Sequence, residues 1–123
     1  MKERVEERLQ QVRSLGEVIC IRLKSEVDKL GLDESVIEPL LEQADYELSR
    51  DPASGEDTLV GVWRDERGNK LGEILFHGDG SFFAEYDVIR NHPRDARWFV
   101  EAVTAWGRGS NVRSEPRLIP VAT

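Results

Sequence analysis

One cysteine, Cys20, is present in 123 residues. An internal disulfide is therefore excluded, and so is a cysteine-based zinc site. Flanked by Ile19 and Ile21 in a helical stretch, Cys20 reads as a small buried hydrophobe. Long apolar runs are missing too, since nothing approaches the roughly 20 uninterrupted apolar residues of a membrane span. The opening Met-Lys-Glu-Arg-Val-Glu-Glu-Arg reads as a charged helix rather than a signal peptide, so the expected location is the cytoplasm, with no membrane partner. Surplus positive charge is absent. Seventeen Lys and Arg face 24 Asp and Glu, for a net charge of −7, which argues against nucleic acid as a partner because neutralising phosphates takes a cationic surplus. No glycine-flanked serine elbow appears, and Gly78-Asp79-Gly80-Ser81 leads into a strand, whereas phosphate-binding glycine loops open a helix. No catalytic residue and no cofactor follow from such a pattern.

Apolar residues make up 39% of the chain, enough for one ordinary domain that buries roughly two-thirds of its unfolded surface. Val5, Leu9, Val12, Ile19, Leu23, Val27 and Leu30 recur at steps near three and four, which predicts an amphipathic helix over 5–30. Gly16 lies on the same stripe, and a break near it would make two short helices of one long one. The glycine either weakens the helix by about 1 kcal/mol relative to alanine or lets another backbone approach. Gly31 is a helix stop, and Ser35-Val36-Ile37-Glu38 has the spacing of a capping box, with Pro39 in the first turn. Ile37, Leu40, Leu41, Ala44 and Leu48 then share one face of a second helix ending near Ser49.

After a connector of proline, glycine and acids at 50–57, strands are predicted at 59–64, 71–77 and 81–89. Taking Gly78-Asp79-Gly80 as a three-residue loop with Gly80 left-handed sets Phe76 opposite Phe82, Ile74 opposite Ala84 and Gly72 opposite Tyr86. That register gathers the apolar residues on one face, and a one-residue slip would scatter them. Pro93 closes the third strand, and Asp95 caps a helix carrying Trp98, Phe99, Ala102, Val103 and Trp106. The expected fold is α+β in the order α-α-β-β-β-α. It comprises a helical hairpin over 1–50, a three-stranded antiparallel meander over 58–90, a helix on the sheet over 94–107, and a flexible or extended tail over 108–123.

The same register leaves a second sheet face of Glu73, Leu75 and His77 opposite Glu85, Phe83 and Ser81, with Asp87 beyond. Glu73 and Glu85 then stand directly across from each other, and like charges so placed repel unless a cation intervenes. Arg90, Arg94, Arg97, a divalent metal or plain water could supply the relief. Glu73, His77, Glu85 and Asp87 are thus the candidate ligand or metal residues, although two glutamates and one aspartate fall short of a full magnesium or calcium shell. His77, Asp79, Asp87 and His92 could form a His/Asp cluster, but their spacing matches no compact metal motif. Asp79 is explained by its turn and His92 by the link before Pro93.

The order of elements is similar to that of double-stranded RNA-binding domains, whose core is αβββα. Arg94-Asp95-Ala96-Arg97 stands where those domains carry a phosphate-gripping lysine cluster, so the likeness is one of topology and implies no RNA binding.

Residues 1–89 carry 11 basic and 21 acidic side chains, while 90–123 carry six and three. The basic end therefore suits the acidic part of this chain or of a second copy. A first helix of about 39 Å would also outrun a second of about 21 Å, leaving Val5, Leu9 and Val12 as a candidate interface. The expectation is a non-catalytic interaction or regulatory protein whose partner is another protein or a second copy of itself. The alternatives are a small ligand- or metal-binding protein or enzyme using the acidic sheet face, and an acidic immunity- or antitoxin-type protein that masks a basic partner.

Overall fold

The computed structural model describes residues 2–32, 38–50, 52 and 55–121. Helix α1, Lys2–Leu30, runs unbroken through Gly16, so the stretch forms one long helix and not two short ones. Gly16 serves the approach of side chains, since a Cβ there would stand 2.8 Å from Leu41 Cδ1 and 3.3 Å from Phe76 Cζ. Gly31 adopts φ 82° and its N–H donates to the Asp28 carbonyl, ending the helix.

Beyond a short 3-10 turn at Leu41–Gln43, every remaining described element is a strand. They are β1 (Asp45–Arg50), β2 (Asp57–Arg64), β3 (Lys70–Phe76), β4 (Ser81–Asn91), β5 (Trp98–Arg108) and β6 (Asn111–Pro120). All pair antiparallel in one six-stranded sheet of order β1-β2-β3-β4-β5-β6. The α-α-β-β-β-α expectation is overturned, and with it the likeness to RNA-binding domains.

Three corrections follow. The second helix of the expected hairpin is, over its described part, the 3-10 turn and strand β1. Asp45, Glu47 and Ser49 alternate with the more buried Tyr46 and Leu48, and pairing with β2 favours that period of two over the helical stripe. Ser35, Val36 and Ile37 of the expected capping box lie outside the described residues. The expected C-terminal helix is β5. Its Trp, Phe, Val and Thr content suits a strand, and Ala102, Val103, Thr104 and Ala105 are buried in succession, which blurs the period of two. A bulge between Val100 and Ala102 further disguises its alternation. The expected flexible or extended tail is β6, paired along its length with β5. The meander has six strands rather than three.

The β3–β4 register is the one expected: Phe76 faces Phe82, Ile74 faces Ala84 and Gly72 faces Tyr86, with Gly80 at φ 90°. Helix α1 lies across one face of the sheet, touching β1, β2, β4, β5 and β6. Arg4 pairs with Asp57 at the start of β2, and Arg22 donates to the Val112 carbonyl on β6. Ile19, Leu23 and Val27 are fully buried with Leu59, Ile74, Phe76, Val100 and Val103 of the sheet. Trp63 Nε1 and Tyr46 Oη donate to the carbonyls of Leu40 and Leu41, pinning that turn to the sheet. At a bulge in β4, Ile89 takes φ 51° with its side chain 65% exposed. For a β-branched residue that is a strained conformation.

Candidate functional site

No described element covers the face of the sheet opposite α1. Along its middle the strand registers align Glu47, Val60, Leu75, Phe83, Trp106 and Arg113, one residue from each strand. The four central side chains are half-buried, whereas Glu47 and Arg113 are exposed at the two edges. An antiparallel sheet that faced water would place polar residues at these positions. Here an apolar band crosses four strands, with an acid at one end and a base at the other.

On one side of this band runs a second row, Asp45, Val62, Glu73, Glu85, Thr104 and Glu115. Asp87, Ala102 and Arg117 follow in a third. Glu73 and Glu85 stand opposite each other, as expected, and their repulsion is relieved from two directions. Lys70 Nζ lies 2.9 Å from Glu73 Oε2, and Arg117 Nη1 lies 2.7 Å from Glu85 Oε1 and 3.5 Å from Glu101 Oε1. Lys70 and Arg117 fill the role expected of Arg90, Arg94, Arg97, a divalent metal or water. Arg97 pairs instead with Asp95 at 2.7 Å, and the Arg94 guanidinium packs over Gly31. Arg117 escapes the local reading because a flexible or extended tail over 108–123 assigns it no partner strand. The alternation of Arg113, Glu115 and Arg117 with Ser114 and Pro116 was the signal available.

Glu73, Glu85 and Asp87 line a shallow cavity of about 120 Å³ with Lys70 and Gly72. Burial, then the Glu85 charge, holds the Asp87 carboxyl above its ordinary value. His77 lies elsewhere, just past the end of β3 and about 13 Å from Glu73 at the rise of an extended chain. It shares a 3.2 Å hydrogen bond between Nδ1 and Thr58 Oγ1, and its N–H donates to the Ser81 carbonyl. The fold therefore brings together Glu73, Glu85 and Asp87 but not His77. Among the described residues, no three His, Cys, Asp or Glu side chains converge to hold a metal ion.

Val12 is buried, and the half-buried Val5 and Leu9 pack against the core, so the helix stripe expected as an interface contributes to the core of its own chain. Cys20 lines a groove of about 480 Å³ between α1 and residues 38–42. Burial, with help from Glu42 and Glu17, pushes its thiol up to about 12, which removes it as a nucleophile near neutrality. Asp79 holds its turn by accepting from Ser81 Oγ and the Ser81 N–H, at 2.6 and 2.9 Å. Asp95 caps no helix and instead accepts from the Arg97 N–H at 3.1 Å. Among the described residues, no helix is long and apolar enough to cross a membrane. Comparison with family models, curated proteins and solved structures yields no match.

Proposed function

We propose that this chain is a small non-catalytic interaction or regulatory protein, and that it meets its partner through the sheet face opposite α1. One observation carries the reading: Val60, Leu75, Phe83 and Trp106 form a continuous apolar band on a face that no described element covers. Neighbouring side chains in such a row lie about 5 Å apart and act as one patch. Its centre is apolar and aromatic and its margins are charged, which is how protein interfaces are built. A partner suited to it offers apolar side chains at the centre, a cation for Glu47 and an anion for Arg113. The acidic cavity supports the ligand-binding alternative less well, because Lys70 and Arg117 already neutralise its two glutamates.

The experiment is site-specific photo-cross-linking in the native cell. Phe83→p-benzoylphenylalanine should yield an adduct whose linked peptide can be sequenced by mass spectrometry, while the same probe at exposed Glu6 should yield none. A folded protein that gives no adduct from position 83 would remove the reading.

A further inference from the structure

Resting on that reading, we propose that the partner is a second copy of this chain. In this arrangement two outer faces pack sheet on sheet about a two-fold axis that runs parallel to the strands between β3 and β4. The basis is the order of residues along the middle row. Reading from β1 to β6 it is acid, four apolar residues, base. A two-fold axis along the strands lays this row on its own reverse, as an isologous interface requires. Glu47 then meets Arg113 of the second copy, Val60 meets Trp106, and Leu75 meets Phe83, so smaller side chains fall against larger ones. An axis across the strands would set Glu47 on Glu47 and Arg113 on Arg113, and like charges select against it.

The neighbouring row is compatible with this choice. Glu73 comes over Glu85, each with its own cation, Lys70 or Arg117, and Asp45 comes over Glu115, a like-charge pair that stays at the solvent-exposed edge, where water screens it. The sequence-wide asymmetry runs the same way, with acids concentrated before residue 90 and arginines after it. Six strands at about 4.8 Å spacing make a face of roughly 24 Å by 24 Å. Doubled over two copies, that is about 1,200 Å², the lower end of stable interfaces. Two sheets packed face to face ordinarily keep their strand directions within about 30° of each other, which an axis along the strands satisfies.

Sedimentation velocity of the full chain over about 1–200 µM tests the proposal. The wild type should approach twice the chain mass at the upper end. Phe83→Glu should stay monomeric throughout with its circular dichroism unchanged. Glu47 and Arg113 are exposed, so reversing either leaves folding intact. Glu47→Arg or Arg113→Glu alone should weaken the dimer about tenfold, and the double reversal should restore it to within about threefold. A wild type that is monomeric at every concentration, a dimer indifferent to Phe83→Glu, or a double reversal without rescue each overturns the proposal. If the protein is monomeric while the position-83 adduct joins a different protein, the second-copy inference falls and the interaction reading stands. If that adduct is also absent, both fall.

Discussion

Arg117 on β6 reaches across β5 to Glu85 on β4, Nη1 to Oε1, over 2.7 Å. The β5 residue that pairs with Arg117 is Ala102, whose methyl leaves the path open. Two glutamates fixed opposite each other by strand register are thereby tolerated, since one is held by Arg117 and the other by Lys70.

Arg117→Gln should cost about 1 kcal/mol, because the pair is partly exposed and solvent screens much of its attraction. The loss should show as a lower urea midpoint with unchanged slope, and should shrink in molar salt. An unchanged midpoint at low salt would mean that water already screens the two glutamates.

Asp87→Asn should stabilise the protein at neutral pH. A carboxyl held above its ordinary value of 3.8 takes up protons more readily folded than unfolded. Its contribution is fully present below 3.8 and is lost as pH rises through the higher folded value. The asparagine variant should therefore gain melting temperature at pH 7 and lose that gain as pH falls below the ordinary value. Asp95 behaves oppositely. Hydrogen bonds from Arg97 hold it down to about 2, so its contribution is present above 3.8 and disappears on acidification toward 2. Melting scans across pH that show the same sign for both residues would refute this assignment.

Cys20 should resist thiol reagents in the folded protein. With its thiol pushed to about 12 by burial, the thiolate fraction at pH 8 falls about a thousandfold below that of an ordinary cysteine. Absorbance-monitored reaction with a disulfide reagent should be slow in buffer and fast in denaturant. Equal rates in the two conditions would contradict the burial.

Ile89→Gly should stabilise the fold by about 1 kcal/mol, because a β-branched residue at φ 51° is strained and glycine is not. The side chain is 65% exposed, so little packing is lost. A lower melting temperature for the glycine variant would place the side chain in a contact that outweighs the strain.

Helix α1 and the β3–β4 hairpin were legible in the amino-acid order because their decisive contacts are local. An apolar step of three and four needs only one continuous segment, and Gly78-Asp79-Gly80 sets the register of the two strands it joins. The opposition of Glu73 and Glu85 followed from that register alone, without any knowledge of the rest of the sheet.

Strands β1, β5 and β6 were settled by partners distant along the chain. Trp98, Phe99, Ala102, Val103 and Trp106 satisfy a helical face and a strand with apolar residues on both sides equally well, and only the hydrogen-bonding edges of β4 and β6 decide between the two. Tyr46 and Leu48 could belong to either period until β2 lay beside them. The uncovered band, with Glu47 at one margin and Arg113 at the other, draws one residue from each of six strands. No window of the sequence contains it, because cross-strand neighbours are created by pairing and not by proximity along the backbone.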